Sequence, residues 1–281
     1  VTTVPWPVGV VDAHTHIFPP EVALEREPFI RRDAWFAALY GTPTAKIATA
    51  EDLITSMDRS GVAISVVLTF GWRDAGLGRL HNAYMLDAAR RYPGRLMPFA
   101  HVGPDADDPD LAGFAGIGEW MPEGQGFTLD EHSRLAGQLR AAQERNLPVL
   151  THVSEPVGHD YPGKSCVAPE QLWRLARAFP ANRFIAAHWG GGLLFYELMP
   201  EVRADLQNVW YDTAAGRLLY TPAIYAAAGQ IVRPEKILWG SDFPLMPQQR
   251  DLRAIRRAVL DEQALQMMVG GNCRSLLGTG L

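Results

Sequence analysis

The chain has 281 residues, 47% of them hydrophobic and 20% charged, with a formal net charge of -5. That balance, with no Lys/Arg-rich run, argues against nucleic acid as a partner, and the longest apolar stretches, such as 62–70, fall far short of the ~20 residues a membrane helix needs. Two cysteines, Cys166 and Cys273, build no disulfide framework, and no basic-then-apolar leader is visible, so a reducing cytoplasm is the expected compartment.

Taken in chain order, strand-like and helix-like segments alternate. Apolar runs suited to strands lie at 9–13, 62–70, 96–102, 116–120, 149–152, 183–188, 209–212 and 236–240. After the first comes a long irregular stretch, 18–48, of the length often used for functional lids. Thr49 and Asp52 then form a capping-box pattern ahead of Leu53, Ile54 and Met57, and Gly61 is placed to end that helix. Residues 103–115 leave room for only a short helix between the third and fourth strands. Segment 129–145 carries Leu135, Leu139 and Ala142 at helical spacing; 168–179 and 222–232 behave alike, and 249–277 reads as one or two terminal helices. Strand–helix alternation implies parallel strands with right-handed crossovers. Eight such units close into a (β/α)8 TIM barrel, a single domain over residues 1–281 with a long loop after the first strand.

In such a barrel the chemistry sits at the C-terminal ends of the strands. His14 and His16 end the first strand, and alternation puts residues i and i+2 on one face, with Asp12 one step behind. Two imidazoles from a rigid strand make half a metal site. His152, His188 and Asp242 fall at the ends of the fifth, sixth and eighth strands, and Glu119 at the end of the fourth. Lone strand-end histidines are usually structural, but five metal-type residues on one rim, Glu119 aside, are not a coincidence to expect. Asp12 is expected either to orient a ligand histidine or to satisfy barrel backbone groups. His81 and His132 are expected at the surface or in packing, His101 in the core, and the two cysteines as small buried or half-buried thiols. Trp120, Trp189 and Phe243, each following a site residue, either pack the rim or wall an aromatic substrate.

These residues resemble the amidohydrolase superfamily. The carriers are Asp12-Ala13-His14-Thr15-His16, Ala187-His188-Trp189-Gly190-Gly191 and Gly240-Ser241-Asp242-Phe243-Pro244. The likeness is closest to the amidohydrolase-related branch, which holds metal-dependent TIM-barrel hydrolases and decarboxylases of the aminocarboxymuconate-semialdehyde type. It implies that His14, His16, His152 and Asp242 bind one divalent ion while His188 polarises substrate or shuttles a proton. In the superfamily's two-metal pattern, a carboxylate at the position of Glu119 bridges, and His152 and His188 hold the second ion.

The expected cofactor is Zn2+, with Mn2+ also suited to imidazole and carboxylate donors. One ion is favoured, with two possible if Glu119 bridges. Metal-activated water, with Asp242 taking its proton, implies hydrolysis of an ester, lactone or amide of a small carboxylated substrate. The alternative is non-oxidative decarboxylation of a small aromatic or unsaturated acid. Glu119 tilts the expectation to hydrolysis. Arg73, Arg217 and the 159–164 loop, with His159, Tyr161 and Lys164, are expected on the rim as substrate contacts. The expected partner is a small molecule, in a chain that can form a homo-oligomer.

Overall fold

In the computed structural model, which describes residues 9–259 and 261–279, eight strands pair in chain order, each parallel to the next. They are β1 (Val11–His16), β2 (Ile64–Leu68), β3 (Leu96–Ala100), β4 (Gly116–Trp120), β5 (Pro148–Thr151), β6 (Arg183–Ala186), β7 (Val209–Asp212) and β8 (Ile237–Leu238). The ring closes through backbone bonds between β1 and the segment after β8. Trp239 O accepts from Ala13 N–H at 2.8 Å, His14 O from Asp242 N–H at 2.9 Å, and Phe243 O from His16 N–H at 2.7 Å. The protein is thus a single-domain (β/α)8 barrel, nearly closed, as the strand–helix alternation implies.

Two apolar layers build it. Val11, Ala13, Val66, Leu68, Phe99, Leu150, Ile185 and Leu238 share one buried cluster. Residues of the opposite parity, among them Val67, Ile117, Val149, Phe184, Val209, Tyr211 and Ile237, pack with helical residues such as Leu53, Leu135 and Leu172. Strands buried on both faces read as near-continuous apolar runs for this reason.

Strict alternation breaks at two places that matter. The register shifts between Asp12 and Thr15 in β1 and between Ile117 and Trp120 in β4. Such irregularities re-aim side chains. Val11 and Ala13 belong to the inner cluster, yet His14 and His16 also converge on the site; Ile117 faces the helices, yet Glu119 faces the histidines. The simple expectation that Asp12 shares the face of the histidine pair is therefore corrected.

The helix over Ala50–Ser60 has the expected capping box of Thr49 and Asp52 and ends on Gly61 at φ 72°. Such a cap contributes about 1 kcal/mol. No helix forms across 103–115, where a short one was expected; Pro104, Pro109 and two glycines interrupt it, and Asp105 and Asp107 instead pair with Arg134 and Arg140. The stretch 18–48 is less irregular than expected. It folds into short helices, Pro20–Leu24, Glu27–Arg32 and Ala34–Tyr40, the last capped by Asp33 accepting from Phe36 N–H. Its Phe18 and Phe36 pack with Phe70 and Trp72 as an aromatic cluster. The terminal stretch divides into several short helices, Gln248–Ala258, Glu262–Gln266 and Asn272–Leu277 among them, and the part of it at Leu260 lies outside the described residues. Among the described residues no helix is long and apolar enough to cross a membrane.

Candidate metal centre

Six side chains from five strand ends meet on one floor. His14 Nε2 and His16 Nε2 are 3.1 Å apart. Glu119 Oε2 lies 3.6 and 3.3 Å from them, and Asp242 Oδ1 3.7 and 3.6 Å. Glu119 turns its other oxygen to a second set, with Oε1 2.9 Å from His152 Nδ1 and 3.6 Å from His188 Nε2. His188 Nε2 and His152 Nδ1 are 3.2 Å apart. Donors on a tetrahedral ion with bonds of about 2.1 Å stand roughly 3.4 Å from each other. The separations on both sides of Glu119 match such an edge, and the donors are imidazoles and carboxylates, so the residues fit a divalent ion. Two triads, His14–His16–Asp242 and His14–Glu119–His188, have ligand atoms all within 4.8 Å of one another. His152 is in neither triad; it stands on the Oε1 side of Glu119.

The strand ends are built to hold these groups. His14 Nδ1 donates to Asp212 Oδ2 at 2.8 Å, which leaves the Nε2 lone pair free to face the centre. Asp212 Oδ1 accepts from the backbone N–H of His188 and Ala214 at 2.9 and 3.0 Å, so one carboxylate at the end of β7 ties β1 to the loop after β6. His188 and Asp242 sit in the left-handed region at φ 56° and 62°. Such residues cost of order 1–3 kcal/mol each and persist where surrounding structure imposes them. Asp12 does the structural work of its two expected roles: it accepts from Ser241 N–H and O–H at 2.9 and 2.6 Å and from Gln248 Nε2 at 2.8 Å.

Burial opposes charge on Glu119, His14 and His188, and the fields of their neighbours overcome it. Glu119 is held well below the usual carboxylate range, because His14, His152 and His16 outweigh its desolvation. Burial likewise opposes a proton on His14, but Asp212 and Glu119 raise its pKa well above the ordinary histidine value. His188 is raised to about 9: burial again opposes charge, and Glu119 and Asp242 win.

Above the floor is a cavity of about 460 Å³, lined by His16, Glu119, His152, His188 and Asp242 and by a largely apolar wall that includes Leu39, Met121, Leu218 and Leu245. The 18–48 stretch contributes Leu39, Tyr40, Thr42, Thr44, Ala45 and Lys46 to this wall. Of the rim residues expected to meet substrate, His159 and Tyr161 line the cavity. The other three are turned onto carbonyls: Arg73 onto Gly124 O, Lys164 onto Val157, Gly158 and His159 O, and Arg217 onto Arg250 O. Trp120 and Trp189 are fully buried, and with Phe243 they stand behind the cavity rather than on it. His81, expected at the surface or in packing, is buried; its Nε2 donates to Ile17 O and its Nδ1 accepts from Trp72 Nε1–H. His101 Nε2 donates to Trp72 O. Cys273 is buried, whereas Cys166 is exposed on the loop after β5, where a buried or half-buried thiol was expected; its backbone N–H donates to Glu123 Oε2.

Two features escaped the sequence. Asp212 carries the same signal as the ligands, an acid at a strand end, but no neighbouring histidine marks it. Tyr40 and Lys46 carry no signal, since only the fold of the 18–48 stretch brings them to the cavity.

Several solved structures share this fold. The 5-carboxyvanillate decarboxylase of Sphingomonas paucimobilis superposes with a TM-score of 0.76 at 16% identity, over 97% of this chain and 99% of that one. The 5-carboxyvanillate decarboxylase of Novosphingobium aromaticivorans, in complex with manganese and 4-hydroxy-3-methoxy-5-nitrobenzoic acid, gives 0.76 at 17% identity, over 96% of each chain. A dihydroxybenzoic acid decarboxylase of a Polaromonas species, with manganese and the inhibitor 2-nitroresorcinol, gives 0.73 at 15%, over 96% and 97%. These neighbours correct the expectation of hydrolysis. Glu119 and Asp242 carried that expectation, whereas the structures of like fold are decarboxylases, two of them with manganese, and they fit the alternative of decarboxylation better. No curated protein sequence matches the chain. The amidohydrolase family model matches residues 11–279, and the chain belongs to that family, as an enzyme whose strand ends are suited to a divalent metal.

Proposed function

We propose that this protein is a metal-dependent decarboxylase of a small aromatic or unsaturated carboxylic acid. The observation that carries the reading is the donor cluster of His14, His16, Glu119, His152, His188 and Asp242 on the floor of a mostly apolar cavity. The decarboxylases of similar fold, two of them with manganese, support it.

A divalent ion held by His14, His16, Glu119, His152, His188 and Asp242 would supply a Lewis acid for the substrate's oxygens. Mn2+ and Zn2+ both suit the donors. The protein's own part is orientation and proton delivery. Leu39, Met121, Leu218 and Leu245 exclude water from the ring or alkene. In this reading Asp242 and His188, at the cavity floor, carry a proton to the carbon that loses its carboxylate. As that carbon takes the proton, the carbon–carbon bond breaks, its electron pair returns to the carbon, and carbon dioxide leaves. Lys46 is the one lysine or arginine on the cavity wall among the described residues. Its Nζ donates to Leu245 O at 2.9 Å, which holds the charge at the mouth. A cavity with one lysine at its mouth and apolar walls suits a compact acid of low charge.

The test is a panel of hydroxybenzoic acids, including 5-carboxyvanillate and 2,6-dihydroxybenzoate, with protein loaded with Mn2+ or Zn2+. Release of carbon dioxide from at least one, lost on chelation and restored by metal, is the expected result. Metal-loaded protein inert toward all aromatic and unsaturated acids, but cleaving another bond class, would refute the reading.

A further inference from the structure

His152 is held from behind by a pair of serines. Its Nδ1 faces Glu119 at 2.9 Å, and its Nε2 is turned away from the centre to Ser154 Oγ at 3.1 Å. Ser154 is buried, at 2% exposure. Its Oγ accepts from Ser165 N–H at 3.0 Å and lies 3.3 Å from Ser165 Oγ, which in turn accepts from Val167 N–H at 3.3 Å.

A hydroxyl has one proton to give and two lone pairs. One lone pair of Ser154 is committed to Ser165 N–H. The remaining proton and lone pair serve His152 and Ser165 Oγ, and they do so in either direction. When Nδ1 carries the ring proton toward the Glu119 carboxylate, Ser154 donates to Nε2 and accepts from the Ser165 hydroxyl. When Nδ1 must present a lone pair to a metal, the ring proton sits on Nε2, Ser154 accepts it, and its own proton turns to Ser165 Oγ. Ser154 and both ring nitrogens of His152 are satisfied in both arrangements; in the second, the hydroxyl proton of the half-buried Ser165 is left to solvent.

We propose that Ser154 and Ser165 form a reversible hydroxyl relay that positions His152 and supports both of its tautomers, so that this histidine passes between a metal-free state bonded to Glu119 and a metal-ligating state without leaving a buried group unpaired. Ser154 is a positioning residue: it acts on the centre through His152. The same pair closes the neck of the loop that carries His159 and Tyr161 to the cavity, since Ser154 N–H also donates to Val167 O at 3.0 Å. The relay therefore joins a metal-facing residue to the substrate-side loop. The inference rests on the six-residue cluster being a metal centre, and not on the reaction proposed for it.

The experiment compares wild type, Ser154→Ala and Ser165→Ala by Zn2+ affinity in chelator competition and by proton NMR of the Co2+-substituted proteins. Wild type is expected to show a hyperfine-shifted, slowly exchanging imidazole N–H from His152. Ser154→Ala is expected to lose that signal to solvent exchange and to bind Zn2+ about 10- to 100-fold more weakly, the usual cost of removing a partner of a ligand histidine. Ser165→Ala, which leaves Ser154 one bond short in the metal-ligating state, is expected to fall between. It also carries the test if Ser154→Ala does not fold. A role in loop pinning alone would lower the melting temperature of metal-free protein and leave affinity and signal as in wild type; that result in the folded variants overturns the relay. Failure of wild type itself to bind Zn2+, Mn2+ or Co2+ would overturn the metal centre instead.

Discussion

Replacing Asp212 by Asn changes one atom that touches no substrate, yet the structure assigns it a large effect on metal affinity. Both Asp212 oxygens are committed: Oδ2 accepts from His14 Nδ1–H at 2.8 Å, and Oδ1 from two backbone N–H groups at 2.9 and 3.0 Å. Asp212 and His14 are both fully buried. An asparagine amide must turn its NH2 to one side. Turned to the backbone, it strands two buried donors, at about 1–3 kcal/mol each. Turned to His14, it makes Nδ1 an acceptor and moves the ring proton to Nε2, the atom facing the centre. The second arrangement is the cheaper for the fold, and it blocks a ligand. The expected outcome is a 10- to 100-fold loss of Zn2+ or Mn2+ affinity, about 1.4–2.8 kcal/mol. Metal-free protein should lose less than that in unfolding free energy. Chelator competition and thermal melts of the metal-free proteins measure the two quantities separately. Affinity of Asp212→Asn within twofold of wild type would show that His14 does not depend on this carboxylate for its tautomer.

Three further outcomes are expected. Asp242→Asn keeps an oxygen for a metal but moves no proton, so turnover should fall about 10²- to 10⁴-fold with the melting temperature little changed; unchanged turnover would remove Asp242 from proton transfer. Glu119 addresses two donor sets with its two oxygens, so metal titration should find one tight and one weaker ion per chain, and Glu119→Gln should abolish the weaker; two equal ions in both proteins would contradict this. Asp251 is buried and bonded to Trp239 Nε1, and burial lifts its pKa from 3.8 to about 7. Its folded state therefore holds a proton that its unfolded state releases, and its contribution to stability falls as pH rises across that window, by at most roughly 4 kcal/mol. The melting temperature of wild type should drop more than that of Asp251→Asn between pH 4.5 and 8; parallel profiles would contradict it.

The barrel was legible in the sequence because buried parallel strands announce themselves as apolar runs, and the run at 116–120 coincides with β4 residue for residue. The centre was legible because its residues end those runs. Less legible was the reason they converge. Alternation from Val11 would carry His14 and His16 away from the inner cluster, and alternation from Ile117 would do the same to Glu119; the register shifts in β1 and β4 reverse both, the second marked by Gly118 at φ 141° and the first by no residue type. The cavity wall was hidden for another reason. Lys46 meets Leu245, 199 residues along the chain, a contact that local pattern does not contain. Arg73 and Arg217 were overread, since a cation after a strand looks the same whether it meets a substrate or a backbone carbonyl.

In the proposed reaction this centre breaks a carbon–carbon bond rather than adding water. The direct measurement is the fate of isotopes with an aromatic acid that the metal-loaded protein consumes, run in D2O and in ¹⁸O water with carbon dioxide trapped. Decarboxylation is expected to give one carbon dioxide per substrate, one deuterium on the carbon that carried the carboxylate, and no solvent oxygen in the product. Solvent ¹⁸O in a new product carboxylate or hydroxyl, with no carbon dioxide released, would contradict it.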